Sequence, residues 1–368
     1  MFGMFMILPV FSLYASQLPV PATALQTGLA IGLFGLVQAL LQIPFGRASD
    51  HWGRRRVVIV GLLLLAAGSA LATLTDDIHL LMLARALQGS GAVAAVVAAW
   101  LADTTRDEVR TQAMAVHGAG VGLSFVGAIV LGPLLAGVVG VPGLFALTGA
   151  LALLSILPLL AVPDRGHSRE AAAIPSAAGL PLWRLHLGSF LLNATMTAMF
   201  AALPFAIRLA LDLPDSAHWK FYLPVLLGAL LPVLPLLRLG RRSLAAQRRL
   251  FMAAIAVPAF AMGGLAGGTG DRSLLIAGML AYFVGFALLQ AMMPAALSRL
   301  VVPAQRGAAM GRFNTAQVLG AAIGNLLGGW AHDAASLGGP FLVASALLCL
   351  WLPLAWSTPL PPMQAART

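Results

Sequence analysis

Charged side chains of opposite sign cluster around residue 50. The segment 46–56 reads GRASDHWGRRR, so Asp50 precedes Arg54 and Arg55 by about one helical turn. The glycines permit a tight turn and close backbone approach, and Asp50 can offer its charge to a neighbouring helix N-terminus. A positive-inside signal, which orients a protein in the membrane, would explain the arginines but neither Asp50 nor the spacing of the glycines. Arg54 and Arg55 lie where they can pair with acids at other helix ends, such as Asp103 or Asp107. The candidate residues are Gly46, Asp50, Gly53, Arg54, Arg55 and Asp103.

A second group of polar residues lies within an apolar run. Arg85 and Gln88 share one helix face at a spacing of three, and Gly89 follows them. A guanidinium about two turns into a membrane span is costly and usually faces a wet cavity or a partner. Snorkelling to an interface is the alternative. The equivalent position in the second half of the chain is Ala281, so Arg85 is an asymmetric feature, which favours a functional role.

A stripe of small residues marks a third segment. Small side chains every four positions let another helix approach closely, and the proline within the stripe is expected to kink its span without exposing it to water. Ordinary helix packing is the alternative reading. The residues of this stripe are Gly127, Ala128, Gly132, Pro133 and Gly137.

Catalytic and metal-binding patterns are missing from the sequence. A membrane enzyme would need His, Asp, Glu or Cys clustered near one interface, but the seven histidines are scattered and Cys349 is the single cysteine. All twelve acidic residues fall in predicted loops or helix ends. His117 is the histidine well inside a predicted span, and imidazole titrates near neutrality, so it is the candidate proton relay; a packed neutral side chain is the alternative. No metal and no cofactor are predicted.

The composition is that of a membrane protein. Hydrophobic residues make up 60% of 368 and charged residues 9%, with a mean hydropathy of +0.92. Soluble domains carry roughly 25% charged residues, so most of this exterior must face lipid. The net charge of +10 does not indicate nucleic-acid binding, because the basic residues lie between the apolar runs.

The apolar runs predict an all-α protein with twelve membrane-spanning helices. A crossing needs about 20 apolar residues, and only helices or closed barrels satisfy the backbone in lipid. The predicted spans are 1–17, 24–45, 56–74, 78–101, 111–138, 143–162, 185–211, 218–238, 249–268, 274–297, 308–331 and 337–357.

The basic residues of the short loops set the orientation. Seventeen arginines lie on one side, against Arg208, Lys220 and Arg272 on the other. The arginine-rich side is cytoplasmic by the positive-inside rule, and the even number of spans places both termini on that side. The polar segment 163–184 is the predicted cytoplasmic linker between bundles 1–162 and 185–357, and 358–368 is a short cytoplasmic tail.

The two bundles are related by an internal repeat. An offset of 196 carries Arg110 and Met114 onto Arg306 and Met310, and it carries the small stripe Ser124, Ala128, Gly132 onto Gly320, Gly324, Gly328. Leu8-Pro9 falls against Leu203-Pro204 at an offset of 195. Two parallel repeats predict pseudo-symmetric six-helix bundles of the rocker type of transporter.

Three of these motifs resemble signatures of the major facilitator superfamily. The segment 46–56 resembles its loop signature G-x-x-x-D-x-x-G-R-[RK], and residues 85–89 resemble R-x-x-Q-G. Residues 127–137 are similar to the antiporter signature G-x-x-x-G-P-x-x-G-G, with Ala128 and Ala136 in place of two glycines. The general likeness is to the twelve-helix drug:proton antiporter branch.

The resemblance implies roles for these residues. The loop would latch the cytoplasmic faces of the halves, with Asp50 acting towards the start of span 11 and Arg54 towards Asp103. Spans 1, 4, 7 and 10 would line a central cavity. Packing remains as good an explanation for any single member of the predicted cavity set, which is Tyr14, Arg85, Asn193, Thr197, Tyr282, Phe286 and Gln290.

The predicted function is secondary active transport of a small, amphiphilic molecule across the bacterial inner membrane by alternating access. Export by proton antiport is favoured, with a monomer in the bilayer as the working unit. One alternative is a facilitator or symporter for a neutral or anionic metabolite, suggested by Arg85 and by the lack of a mid-span acid. A non-transporting sensor is a second alternative, and a channel fits two repeated halves less well.

Overall fold

A computed structural model of the chain describes residues 2–91, 93–161, 182–302 and 306–362. All regular structure in these ranges is helical. The first eight helices are α1 Phe2–Ile7, α2 Phe11–Ala15, α3 Ala24–Trp52, α4 Arg54–Thr73, α5 Ile78–Gly89, α6 Ala94–Thr104, α7 Asp107–Leu154 and α8 Ile156–Ala161. The next eight are α9 Trp183–Phe200, α10 Leu203–Leu211, α11 Trp219–Leu230, α12 Val233–Gly240, α13 Leu244–Gly267, α14 Arg272–Leu300, α15 Arg306–Ala335 and α16 Gly339–Trp356. Short 3-10 turns cover Asp215–Ala217 and Ser336–Gly338.

Several helix starts are fixed by side-chain caps. Thr23 and Gln26 form a reciprocal capping box before α3, and Asp77, Ser243 and Asp271 accept backbone N–H groups before α5, α13 and α14. Such caps satisfy donors that a helix start leaves free. The Leu80 backbone N–H, followed by His79, lowers the pKa of Asp77 below its usual value. The carboxylate therefore stays charged and keeps capping the helix that carries Arg85.

Membrane crossings in the described ranges agree with the twelve-helix fold. Eight helical stretches there are long and apolar enough to cross a bilayer, and the bent pair α9–α10 makes a ninth. Two stretches, Val116–Ala161 and Ala309–Trp356, contain 46 and 48 residues. At about 1.5 Å per residue each is roughly twice the thickness of the hydrocarbon core, so each provides two crossings. Gly140, with φ 70° and ψ 173°, divides the first, and the turn Ser336–Gly338 divides the second.

Five predicted spans are not single continuous helices, among them span 143–162, which divides between α7 and α8, and span 218–238, which divides between α11 and α12. Span 1–17 divides into α1 and α2 at Leu8–Val10, span 185–211 bends by 46° between α9 and α10, and span 78–101 is interrupted between α5 and α6. Proline lacks the backbone N–H needed to continue a helix, which accounts for the breaks at Pro9 and Pro204. The residue of α7 with non-helical dihedrals is Gly140, and Pro133 lies inside the helix. The kink expected at Pro133 stays a prediction.

The chain divides into two compact units. The first comprises 2–161 together with Pro214–Trp219, and the second comprises 182–213 and 220–362 of the described residues. In the first unit α7 packs on α1 and α4, while α5 packs on α3 and α4. In the second unit α15 packs on α9, and α13 lies against α14 and α16. Residues 163–181 of the predicted linker and residues 363–368 of the predicted tail lie outside the described residues.

Candidate functional site

Arg54 is the centre of an ionic cluster in the first unit. Gly53 adopts φ 95°, a conformation open mainly to glycine, and this residue makes the turn from α3 into α4. Arg54 then lies at the first position of α4, where its guanidinium contacts Asp50 Oδ1 at 2.7 Å and Asp103 Oδ2 at 3.1 Å. The Arg54 side chain also donates to the Ser49 hydroxyl. One guanidinium thus joins the ends of α3, α4 and α6.

This cluster differs in two respects from the sequence prediction. α3 continues through Asp50 to Trp52, so the predicted turn is confined to Gly53, and a Cβ at Gly46 would meet nothing within 4 Å. The predicted close approach at Gly46 was wrong, since an intact helix needs no glycine there. Ser49, which is fully buried, was missed because a serine near a helix end carries no distinctive signal. Arg54 and Asp103 are paired, and the role of Asp50 towards span 11 stays a prediction.

Arg85 is buried between three helices of the first unit, α3, α4 and α5. Its side chain is 2% exposed and donates to Gln88 Oε1 at 2.7 Å. Gln88 Nε2 donates to Ser69 Oγ at 2.8 Å, and Ser69 donates to the carbonyl of Leu65. The Arg85 guanidinium carbon lies 4.6 Å from the centre of the Phe34 ring. The cation is therefore stabilised by an amide and by an aromatic face.

Two glycines allow these helices to come together. A Cβ at Gly89 would lie 2.3 Å from the Phe34 carbonyl, and one at Gly68 would lie 2.6 Å from the Gln88 nitrogen. Real Cβ atoms do not come this close, so α3 and α4 reach α5 only because both positions lack a side chain. Sequence reasoning found Gly89 but missed Gly68, Ser69 and Phe34, whose types are common in any apolar helix.

The charge of Arg85 has no carboxylate partner among the described residues. No acid of those ranges lies within ion-pair distance, and the Nε atom is buried without a hydrogen-bond partner there. Removing a cation from water without a counter-charge is expensive. Such a group attracts an anion or a strong acceptor when one can reach it.

The predicted antiporter-like stripe packs α7 against α1. A Cβ at Gly132 would lie 2.4 Å from the Met6 carbonyl, and Ala128 is fully buried. Gly137 faces Ser216 of the short turn that belongs to the same unit, at 2.4 Å from a built Cβ. Gly127 is half-buried and Pro133 is buried within α7.

The corresponding stripe in the second unit packs α15 against α9 at three places. Built Cβ atoms at Gly320, Gly324 and Gly328 would lie 2.1, 2.1 and 2.5 Å from backbone oxygens of α9. Thr197 adds a hydrogen bond to the Ala321 carbonyl at 2.8 Å. Each unit therefore uses its small-residue stripe to seat its own first span.

The predicted cavity residues fall into two groups. Three are buried within the second unit: Asn193 donates to the Ser189 carbonyl, Thr197 to α15, and Tyr282 shares a hydrogen bond with Thr195 at 2.9 Å. These bonds hold each side chain in place between helices, and a place in a central cavity stays a prediction. Phe286 and Gln290 are half-buried on α14.

Three further polar side chains are Gln317, Tyr14 and His117. Gln317, which sequence reasoning missed, donates to Gln290 at 3.0 Å. In the first unit the Tyr14 hydroxyl donates to Asp76 at 3.2 Å. His117 is half-buried in α7, and the described residues contain no group of His, Cys, Asp or Glu that could hold a metal.

Comparison with known proteins decides the family. The family model described as Major Facilitator Superfamily matches residues 1–293. The chain belongs to the major facilitator superfamily. Its relatives in this family are transporters, so the chain is a multi-pass membrane transporter of small molecules and not an enzyme.

Named relatives and a solved structure agree with this assignment. Inner membrane transport protein YajR of Escherichia coli (strain K12) is 36% identical over 374 residues, covering 98% of this chain and 81% of YajR. Tetracycline resistance protein, class C, of Escherichia coli is 28% identical, covering 71% of this chain and 63% of that protein. A bacterial homologue of the human lysosomal transporter Spinster, in an inward-facing and occupied conformation, matches with a TM-score of 0.76 at 14% identity, covering 96% and 94% of the two chains. This major facilitator likeness supports the fold.

Proposed function

We propose that this transporter exports a small, amphiphilic molecule across the bacterial inner membrane by alternating access, in exchange for protons. The observation that carries the proposal is the α7 stripe, where Gly132 lies against the Met6 carbonyl of the first span. The same segment resembles the antiporter signature of the family. The likeness to a protein named for tetracycline resistance, over 71% of this chain, supports the direction of transport.

The proposal extends to the arrangement in the membrane. The arginine-rich loops mark the cytoplasmic side by the positive-inside rule. We therefore place both termini and the segment 163–184 in the cytoplasm. The bundles are 1–162 and 185–357, with 358–368 as a tail, and the protein acts as a monomer. The ionic cluster around Arg54 is the proposed cytoplasmic latch.

A second candidate is a facilitator or symporter for a neutral or anionic metabolite. It is favoured by Arg85, a buried cation without a carboxylate partner in the described part of the chain. An anionic group on the cargo would supply the missing counter-charge. A cationic drug would be repelled from the same place.

Flux in proteoliposomes with an imposed pH gradient separates these possibilities. A panel of amphiphilic cations, neutral compounds and organic anions is loaded, and gradient-driven movement and counterflow are measured for each. Gradient-driven, saturable movement supports antiport, and saturable exchange indifferent to the gradient supports a facilitator. An absence of flux for the whole panel would favour the remaining alternative, a membrane sensor. The panel itself is best chosen from a growth screen in a strain that lacks its own exporters.

A further inference from the structure

One end of the second unit carries a basic surface that no acid in the described part of this unit compensates. Eight arginines whose side chains the structure describes lie there, near the starts of α9, α13 and α15 and around the ends of α12 and α14. They are Arg184, Arg238, Arg241, Arg242, Arg248, Arg249, Arg299 and Arg312. The unit's described acids, Asp212, Asp271 and Asp333, lie at the opposite ends of α10, α14 and α15. In the first unit, by contrast, Asp50 and Asp103 compensate Arg54.

Two exposed indole rings lie within this basic surface. Trp183 begins α9 and is 53% exposed, and Trp356 ends α16 and is 62% exposed. Arg184 lies over the Trp183 ring at 5.4 Å, and Arg248 of α13 lies over the Trp356 ring at 5.9 Å. Exposed tryptophan at the ends of membrane helices marks the level of the lipid headgroups. Each pair thus places a guanidinium beside an apolar ring at that level.

The two pairs form one surface because a backbone contact joins their helices. Arg184 donates to the carbonyl of Ser357, the residue after Trp356. The same terminal segment is held by Gln247 on Pro361 and by Arg299 on Pro362, at 3.0 and 2.9 Å. A carbonyl orients a guanidinium without neutralising its charge. Arg184 is therefore fixed in place and still cationic, and its Nε is buried without a hydrogen-bond partner among the described residues.

We propose that the surface formed by Trp183, Arg184, Arg248 and Trp356 binds an anionic phospholipid of the surrounding bilayer. The phosphate would accept from the guanidinium groups, whose planar fork suits phosphate oxygens, and the first acyl segments would lie on the indole rings. The charge of the surface identifies the occupant: a zwitterionic lipid carries no net charge to match uncompensated arginines. The proposal does not depend on the cargo or on the coupling ion.

Native mass spectrometry of the full chain tests the proposal. The protein is presented with equal amounts of cardiolipin, phosphatidylglycerol and phosphatidylcholine, and lipid-bound species are counted for the wild type. Retention of the two anionic lipids in preference to phosphatidylcholine is expected. Equal retention of all three would overturn the proposal without any variant being made.

Variants then locate the site. The double substitution Arg184→Gln/Arg248→Gln should weaken binding of the anionic lipids by roughly thirtyfold, the scale of two basic side chains near an anionic surface. Lysine at both positions keeps the charge but loses the planar fork, so an intermediate affinity is expected. The matched control, Arg56→Gln/Arg272→Gln, also removes two charges and should bind within about twofold of the wild type.

A thermal readout separates lipid binding from a structural role of Arg184. Unfolding is followed in zwitterionic detergent with and without added phosphatidylglycerol. The rise in melting temperature caused by the lipid should be present in the wild type and the control, and lost in the double glutamine variant. If the control loses as much of that rise as the glutamine variant, the stabilisation by lipid depends on the total charge of the protein, and the proposed site is refuted.

Discussion

At the scale of single residues, the two arginines of the first unit have different environments. Arg54 is 18% exposed at its side chain and lies between two half-exposed carboxylates, where an ion pair is worth little stability. Arg85 is buried, with an amide and an aromatic ring as its partners. The first arrangement costs little to break, whereas the second keeps a cation buried without a carboxylate partner in the described part of the chain.

Asp50→Asn tests the proposed latch. The amide keeps the size of the side chain but removes its charge, so the contact with Arg54 at 2.7 Å is weakened. Transport should fall roughly tenfold, the scale of one lost charge-assisted hydrogen bond, at equal expression and membrane insertion. Asp212→Asn is the matched control, because Asp212 lies outside the cluster. Its backbone has a φ of 51°, a conformation that asparagine also tolerates. Unimpaired transport by Asp50→Asn would show that the cluster is not a latch.

Arg85→Ala tests the charge of the buried pocket. Transport of an anionic substrate should fall by roughly a hundredfold, because the buried positive charge proposed to attract the anion is removed. Gln88→Glu makes the complementary test: it places a carboxylate where the Gln88 oxygen lies 2.7 Å from Arg85. The protein should then insert normally but exclude anions. Should cationic dyes prove to be the sole cargo of the wild type, this role for Arg85 is withdrawn.

Sequence reasoning located these residues and two of their partners, Asp103 and Gln88, but not the rest. The types and spacing around Asp50 and Arg85 were visible because charge is rare in this chain, at 9% of residues. Phe34, Ser69 and Gly68 were missed since they lie 51, 16 and 17 positions from Arg85 and depend on how three helices pack. Buried hydrogen bonds such as that of Tyr282 with Thr195 were equally invisible. A candidate pocket residue and a packing residue have the same sequence signal.

At the scale of helices, the internal repeat identified contacts as well as topology. The Leu-Pro pairs at 8–9 and 203–204 coincide with the breaks α1–α2 and α9–α10. The small stripes seat α7 on α1 and α15 on α9. Hydropathy alone did not show the interruption between α5 and α6, because the residues there remain apolar or small. Helix breaks follow backbone geometry, which hydropathy does not register.

Gly324→Ala tests the stripe of the second unit. The new Cβ would lie 2.1 Å from the Ala194 carbonyl, so α15 and α9 must move apart. Overpacking of this kind costs about 1–3 kcal/mol, measurable as a lower melting temperature in detergent. Gly311→Ala is the control in the same helix, because its Cβ would meet nothing within 4 Å. Alanine there should leave stability unchanged or raise it by up to about 1 kcal/mol; equal effects of the two substitutions would contradict the packing role.

At the scale of the whole molecule, fold and coupling are separate questions. The family assignment rests on the match over residues 1–293 and on YajR at 36% identity. A fold of this kind serves antiporters, symporters and facilitators alike, so it does not choose the driving ion. The choice depends on titratable groups at membrane depth. The sequence places its twelve acids at helix ends or in loops, and His117 is the histidine well inside a span.

His117→Gln tests whether protons drive this transporter through α7. Glutamine retains hydrogen-bonding capacity near the size of imidazole but cannot take up a proton. Accumulation driven by a pH gradient should be lost, while downhill counterflow in the same proteoliposomes should continue at the wild-type rate. That split distinguishes a relay from a packing residue, since a packing defect would lower both fluxes together. His79→Gln, at an exposed position before the Arg85 pocket, should change neither flux. If gradient-driven accumulation survives in His117→Gln, the proton route does not pass through α7, and proton antiport through His117 must be given up.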